Sequence, residues 1–347
     1  MKKHKSELSA ASVMLMLLVI FIHVASECVA GYDRSSVLFA GMNSLHRLAS
    51  FAVQGFIFLW GVKLFLKVDG FSLGKFYLGR LKRVVVPYVI AFAILFLYLA
   101  RSGRISPSAS LFFGELWRGG LVNHFYFVII ICQFYLLIPL WRIIVKKSSP
   151  AITLTVSLIL MIMLRIYLPE IIKKLFGVDF EYTARVFTTY LFYFLAGAFA
   201  GKHYDSFKSF LAARKRGIIG LFAVAAVIDC FASWSIESGF AWLSWADMFH
   251  IIYCVAAILA LMCLSLRITA KESRLTKALP MLNGASYNVY LIHPLFIFIA
   301  EDILARLGIS SLSVRFAFKF VFTYVLAIGL CVLWEMIKQK IRSKKTA

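Results

Sequence analysis

The sequence predicts an all-α, polytopic integral membrane protein with about ten transmembrane helices in one bundle. Of the 347 residues, 62% are hydrophobic and only 16% are charged, whereas a soluble chain carries about 25% charged residues. Apolar runs of about 20 residues, long enough to cross a bilayer as a helix, recur from one end of the chain to the other. No run shows the alternating pattern of a membrane barrel strand.

Each predicted span is an apolar run bounded by polar or charged segments. In chain order the spans are 9–30, 45–66, 84–101, 123–142, 151–168, 184–201, 217–235, 247–266, 281–300 and 313–337. The ninth is the least regular because Pro294 interrupts it, and packing within the bundle must compensate for the missing backbone donor. The longest loops lie near 102–122 and 169–183. We therefore expect one domain over residues 1–347, with a core of about 7–338.

The first residues, "MKKHKSELSAASVMLMLLV", have the basic and apolar regions of a secretory signal. The apolar run is longer than a signal requires, contains His23, and is followed by nine more predicted spans. We therefore expect this segment to remain in the protein as the first span.

The formal net charge of +22 is explained by membrane topology. With the N-terminus in the cytoplasm, 26 of the 38 lysines and arginines fall on the cytoplasmic side of the predicted spans and 12 on the outer side. This bias follows the positive-inside rule, and an even number of spans brings both termini to the cytoplasm. Basic segments at the inner surface contact anionic lipids. We expect a multi-pass protein of the cell membrane, with lipids as partners and no nucleic-acid binding.

The six cysteines are scattered through the spans without the spacing of a metal site or a disulfide framework. We interpret them as small apolar residues. The sequence contains no phosphate-binding glycine loop, no helical pair of zinc-binding histidines and no nucleophile elbow. It therefore predicts neither a metal site nor a permanently bound cofactor.

The first span ends in "IFIHVASE", which places His23, Ser26 and Glu27 on one helical face. Ionisable groups in a span are costly and usually face a protein interior or a water-filled cavity. Counting from Leu8 at ~1.5 Å per residue puts His23 roughly 22 Å into the membrane, in its outer half. Two interpretations stay open: a functional imidazole, or an interhelical hydrogen bond that only fastens the bundle. Glu27 is near enough to the outer end to lie at the interface.

The segment "FYLGRLKRVVVPYV" precedes the third span and carries Arg80 and Arg83, three residues apart and hence on one helical face. We interpret the neighbouring Lys75 and Lys82 as positive-inside anchors. Anchoring would also explain the two arginines. However, paired guanidiniums are suited to bidentate binding of phosphates, so the pair is a candidate phosphate-binding site.

Two later spans contain further polar groups. The segment "NHFYFVIIICQFYLLIPLW" places His124 at the outer mouth of the fourth span and Gln133 inside it. A lone histidine beside Tyr and Phe is more typical of the interfacial belt than of a ligand site, but His124 stays a candidate member of a substrate or structural polar network. The ninth span, "GASYNVYLIHPLF", is interrupted by Ser286, Tyr287, Asn288, Tyr290 and His293. This concentration favours a substrate site, and a structural hydrogen-bond network is the alternative.

These motifs occur in the order typical of the membrane acyltransferase 3 family, which the chain resembles over about residues 7–338. The matching segments are His23 in the first span, "FAVQGFIFLWGVKLF", "RLKR", "HFYF…YLLIP" and "SYNVYLIHPLF". Ten spans with both tails inside also fit the family. The chain departs from the family pattern in having Ser12 where an arginine is usual, Tyr126 where a tryptophan is common, and Gln54 with "LWG" where Pro and Ser-Gly are common.

The resemblance implies an O-acyltransferase that moves an acyl group, most simply acetyl, from cytoplasmic acyl-CoA to a hydroxyl of a surface or lipid-linked glycan. Acyl-CoA (acetyl-CoA) is then a co-substrate. His23 would take the hydroxyl proton, with Glu27 as its orienting partner. Arg80 and Arg83 would bind the CoA phosphates at the inner boundary, and the thin pantetheine arm would bridge the difference in depth. Whether His23 acts as a base or carries the acyl group covalently stays open.

Two other classes of function are alternatives. A transporter or flippase for a glycan or lipid would line its path with His23, Glu27 and the two arginines. The absence of paired broken helices in two related halves of the sequence counts against transport. The third possibility is a structural partner of a glycan synthase. Acyl transfer by the purified protein distinguishes the enzyme from both.

Overall fold

The fold is taken from a computed structural model that describes residues 5–66 and 72–346. Over these residues the chain is built of helices and contains no strand. The α-helices are α1 (Ser6–Gly31), α2 (Val37–Ala49), α3 (Ala52–Phe65), α4 (Leu73–Arg80), α5 (Val86–Arg101), α6 (Ala109–Arg118), α7 (Tyr126–Leu136), α8 (Ile138–Lys147), α9 (Pro150–Phe176), α10 (Leu191–Lys202), α11 (Tyr204–Glu237), α12 (His250–Ile268), α13 (Arg274–Arg306) and α14 (Leu312–Thr346). The predicted all-α fold is confirmed.

Four short irregular segments join these helices. A π-helical turn over Leu81–Val85 connects α4 to α5. Two 3₁₀ segments, Thr183–Arg185 and Phe187–Tyr190, precede α10, and a third, Ala241–Phe249, precedes α12. Tight or wide turns within a helical run often mark strained or functional positions.

Among the described residues, eight helical segments are long and apolar enough to cross a membrane. They are Ser6–Gly31, Val37–Phe65, Leu73–Arg101, Pro150–Phe176, Tyr204–Glu237, Trp245–Ile268, Arg274–Arg306 and Leu312–Ile341. These correspond to eight of the ten predicted spans, so the protein is a polytopic membrane protein.

The other two predicted spans are less regular than hydropathy suggested. The predicted span 123–142 is the pair α7 and α8, which are bent by 63° relative to each other. Pro139 lies in the first turn of α8 and has no N–H with which to continue the ladder of α7. The predicted span 184–201 contains the 12-residue helix α10 behind two 3₁₀ segments. A helix of that length does not cross a bilayer by itself.

By their contacts, the residues form two compact units, Met1–Phe56 with Lys208–Ala347 and Ile57–Phe207. The prediction of one domain over 1–347 stays a prediction. In the first unit α1 is the central helix, because it packs against α2, α12, α13 and α14. A helix that is apolar all round is expected to be buried. Its buried core includes Met16, Ile20 and Val24, which pack with residues of α13 and α14.

The second unit is held together by aromatic rings and by closely packed helices. The ring of Trp60 lies 4.9 Å from that of Phe194 and 4.8 Å from that of Tyr135, centroid to centroid. A side chain at Gly197 would collide with the backbone of Phe58, and one at Gly201 with that of Val62. Small residues four apart therefore let α10 approach α3, as is typical of membrane helix pairs.

Candidate active site

The first unit brings together two histidines from the predicted site list. His23 on α1 and His293 on α13 have ring centroids 5.2 Å apart, with the planes tilted by 36°. Their helices pack along each other, and His293 is 0% exposed while His23 is half-buried. The structure therefore places the imidazole of His23, in the first predicted span, next to that of His293, in the ninth.

Hydrogen bonds to its own helix hold the His293 ring. Its Nδ1 lies 2.8 Å from the carbonyl oxygen of Tyr290 and 3.2 Å from that of Val289. A carbonyl oxygen only accepts, so Nδ1 is the donor in both contacts. In a neutral imidazole the proton is then on Nδ1 and the lone pair is on Nε2.

The other polar residues of the ninth span follow the same helix toward its N-terminus. The rings of Tyr287 and Tyr290 are stacked with centroids 6.4 Å apart, and the Tyr290 ring lies 6.3 Å from that of His293. Residues three apart on a helix are neighbours, so these rings form one stripe. Ser286 instead donates its hydroxyl to the carbonyl of Asn283 at 2.8 Å, which gives it a local structural role.

Glu27 lies in a cluster of charges from three helices of the first unit. Its carboxylate accepts from Arg315 Nε at 2.7 Å and from Lys319 Nζ at 2.5 Å. Lys319 also donates to Glu301 at 2.8 Å. The predicted role of Glu27 as the orienting partner of His23 stays a prediction, and the structure gives this carboxylate two cationic partners on α14. The hydroxyl of Ser26 donates to the carbonyl of Ile22 on its own helix.

Lys319 is the member of this cluster that sequence reasoning missed. It is 1% exposed, and it joins an acid of α1 to an acid of α13. Glu27 follows His23 by one helical turn, and Glu301 follows His293 by about two turns on the same face. Lys319 therefore braces the two helices that carry the histidines. The sequence could have indicated this cluster, because Arg315 and Lys319 lie four residues apart inside the last predicted span.

A second polar network in the first unit, centred on the buried Asp229, was also missed. Arg47 binds both carboxylate oxygens of Asp229, at 2.9 and 2.8 Å, and donates to Asp247 at 2.7 Å. His250 Nδ1 lies 2.9 Å from Asp229, and its Nε2 lies 3.2 Å from Ser50 Oγ. Ser50 donates its proton to the carbonyl of Arg47 at 2.6 Å, and the network ties α2 to α11 and to the start of α12. The sequence could have indicated this network, because Asp229 is an ionisable residue inside the seventh predicted span.

The candidate phosphate-binding arginines belong to the second unit. The guanidinium of Arg80 lies over the rings of Phe76 and Tyr135, 4.9 and 5.2 Å from their centroids, and is half-buried. Arg83 lies in the π-helical turn and is exposed. The prediction that the two share one face assumed an unbroken α-helix. A π-helical turn rotates less per residue than an α-helical one, so the two side chains are farther apart around the helix axis than predicted. Joint phosphate binding stays a prediction.

His124 and Gln133 belong to the second unit. His124 is 4% exposed, so it is packed within the protein, and its place in a substrate or structural polar network stays a prediction. Its ring contacts that of Phe125 at 4.6 Å. Gln133 donates to the carbonyl of Arg185 and accepts from the backbone N–H of Phe187, both at 2.9 Å. It thus satisfies backbone groups where the 3₁₀ segments interrupt the helix.

Ser12 stands where the family usually has an arginine. It is 2% exposed and donates its hydroxyl to the carbonyl of Leu8 at 2.9 Å. Its hydrogen bond therefore stays within α1, and the substitution leaves no charge at this position.

Comparison with known proteins agrees with the motif-based resemblance. The family model described as an acyltransferase domain matches residues 8–336. A Bacillus subtilis (strain 168) protein named "Putative membrane-bound acyltransferase YfiQ" is 23% identical over 304 residues, which cover 85% of this chain and 80% of the relative. No solved structure matches the chain significantly.

Proposed function

Because the chain belongs to the acyltransferase family whose model matches residues 8–336 and is a membrane acyltransferase, we propose that it transfers an acetyl group from acetyl-CoA to a hydroxyl of a surface or lipid-linked glycan. Family membership defines the reaction class. The donor, the acyl group and the acceptor are the proposed parts.

The observation that carries the proposal is the pair His23 and His293, with ring centroids 5.2 Å apart between α1 and α13. Placing imidazoles in an apolar membrane bundle is costly, and such residues usually serve function. Acyl transfer to a hydroxyl needs a group that takes the hydroxyl proton, and imidazole changes protonation near neutral pH in its ordinary state. This is the chemistry that the proposed reaction requires.

In the proposed step, the acceptor hydroxyl oxygen attacks the thioester carbonyl carbon of acetyl-CoA. His23 takes the hydroxyl proton as the new C–O bond forms. The C–S bond then breaks, and the departing CoA sulfur receives that proton from His23, which leaves neutral His23, free CoA and an O-acetyl ester. The alternative, in which His23 first carries the acetyl group, gives the same products through two displacements.

Arg80 and Arg83 are proposed to bind the phosphates of CoA. Arg80 supports this role because two aromatic rings hold its planar guanidinium, and a preorganised guanidinium loses less freedom when it binds phosphate. Arg83 is exposed, which is the condition for contact with a soluble donor.

A labelled-donor assay tests the proposal. Purified protein in lipid is given acetyl-CoA labelled in the acetyl group and a defined glycan, and label in the glycan is measured. We expect acceptor-dependent transfer that is blocked by omitting the glycan. In a parallel assay without glycan, exchange of labelled free CoA into unlabelled acetyl-CoA would favour a covalent carrier. Movement of glycan across vesicles without acetylation would contradict the proposal in favour of a transporter.

We also propose that the protein resides in the cell membrane with both termini in the cytoplasm, as the distribution of basic residues suggests. In a variant lacking the six native cysteines, Phe240→Cys should react with a membrane-impermeant maleimide added to intact cells, whereas Ser343→Cys should react only after lysis. The reverse pattern would contradict this orientation.

A further inference from the structure

We infer that Pro294 is a positioning residue for acetyl transfer: it fixes His293 in the tautomer that carries its proton on Nδ1 and its lone pair on Nε2. The inference rests on the proposed function, because it places the acceptor nitrogen of His293 beside His23, the base of that reaction. It concerns two consecutive residues of the segment "LIHPLF".

The first step of the argument is the backbone around Pro294. In a regular helix the N–H of residue 294 would donate to the carbonyl of Tyr290, four residues earlier. Proline has no N–H, and a proline inside a helix costs about 3 kcal/mol. In this helix, the Nδ1 of His293 donates to that same carbonyl at 2.8 Å. The ring thus supplies the donor that the proline lacks.

The second step is the effect of this bond on the ring. With Nδ1 committed as a donor to the helix backbone, the neutral ring has its lone pair on Nε2. The edge that bears Nε2 is directed away from the backbone of α13. A ring nitrogen of His293 lies within 4.8 Å of one of His23. The lone pair on Nε2 thus belongs to a ring that lies beside the proposed base, His23.

The third step distinguishes the effect of Pro294 on the His293 tautomer from the bending that any proline causes in a helix. Helix α13 contains another proline, Pro280, which is preceded by Leu279 rather than by a histidine. Both prolines remove one backbone donor, but only the one at 294 has a neighbouring imidazole that replaces it. Pro280→Ala is thus a matched control for the general effect of removing a proline from this helix.

The test is a double-mutant cycle on turnover. Pro294→Ala restores an N–H that competes for the Tyr290 carbonyl, so the neutral ring divides between its tautomers. We expect kcat to fall about 2- to 10-fold, the range of one hydrogen bond. His293→Gln places an amide near the Nε2 position without using Nδ1. Adding Pro294→Ala to His293→Gln should therefore change kcat no further, and Pro280→Ala should leave kcat unchanged.

A second readout does not depend on activity. In the full chain labelled with ¹⁵N-histidine, the nitrogen shifts of His293, assigned by comparison with His293→Asn, should report a protonated Nδ1 in the wild type and a mixture in Pro294→Ala. A wild-type ring protonated on Nε2, or equal effects of Pro294→Ala in both backgrounds, would overturn the inference. Failure of the wild type to acetylate any glycan, with the expected tautomer, would instead count against the proposed function.

Discussion

The two units of the protein bury different kinds of side chain. Among the described residues, and with Tyr and Trp set aside, the buried polar side chains of the second unit are His124 and Ser157, whereas the first unit buries ten, including Asp229, His293 and Lys319. The second unit relies instead on stacked aromatic rings and on glycines at the α3–α10 contact. Because buried polar groups are costly, their concentration shows where the fold departs from simple packing. The first unit is where we expect the proton transfer to occur.

The largest effect is expected from His23→Ala, which tests whether proton transfer occurs in the first unit. Loss of a positioned base lowers kcat by about 10²–10⁴-fold, and the yield of folded, membrane-inserted protein should stay near that of the wild type. Ser26→Ala is the matched control, because its hydroxyl bonds only to the backbone of α1 in the contacts described. Turnover per folded molecule is measured after size-exclusion chromatography. Normal turnover with reduced yield would make His23 a helix fastener.

The next effect concerns the charges that brace the first unit. Lys319→Met leaves Glu27 and Glu301 without the cation that joins them, and removing one partner of a buried ion pair costs about 3–5 kcal/mol. The free energy of unfolding in detergent should fall by that amount. Lys173→Met, which removes an exposed ion pair with Asp179, should cause no measurable change. Unaltered stability of Lys319→Met would show that the brace is not needed.

A smaller effect is expected at the arginines of the second unit. Arg80→Ala should raise KM for acetyl-CoA by about 10- to 100-fold with kcat little changed, since hydrogen bonds to charged groups contribute about 1.5–3 kcal/mol. Arg80→Lys should recover part of the affinity, because a lysine lacks the planar fork. Lys75→Ala, at an exposed neighbouring position, is the control. Equal KM values for Arg80→Ala and Lys75→Ala would reduce Arg80 to a topology anchor.

The smallest effect tests the packing of the second unit. Gly197→Ala forces a Cβ against the backbone of Phe58, and overpacking of this kind costs about 1–3 kcal/mol. Gly79→Ala, where no atom lies within 4 Å of the added Cβ, should be neutral or stabilising by about 0.5–1 kcal/mol. The difference in unfolding free energy between the two variants measures the close contact. No difference would mean that α3 and α10 separate at little cost.

The helical fold, and His23 as its first candidate residue, followed from local patterns in the sequence. A long apolar run forms a helix in a membrane because every backbone group must be satisfied within its own segment, and this holds whatever the run packs against. Eight predicted spans were confirmed for that reason. The 12-residue α10 and the bend between α7 and α8 were not predicted, because hydropathy averages over a window and does not register where the backbone ladder breaks.

Which side chains meet was decided by the tertiary structure. The sequence alone determined that His23 and Glu27 share a face of α1, but not that Glu27 binds Arg315 and Lys319 from the far end of the chain. It placed His124 at a span boundary, and the fold buried it. Spans that are apolar all round carry little information about which face meets which neighbour. Contacts between helices depend on the packing of the whole bundle, whereas the helices themselves depend on short stretches of chain.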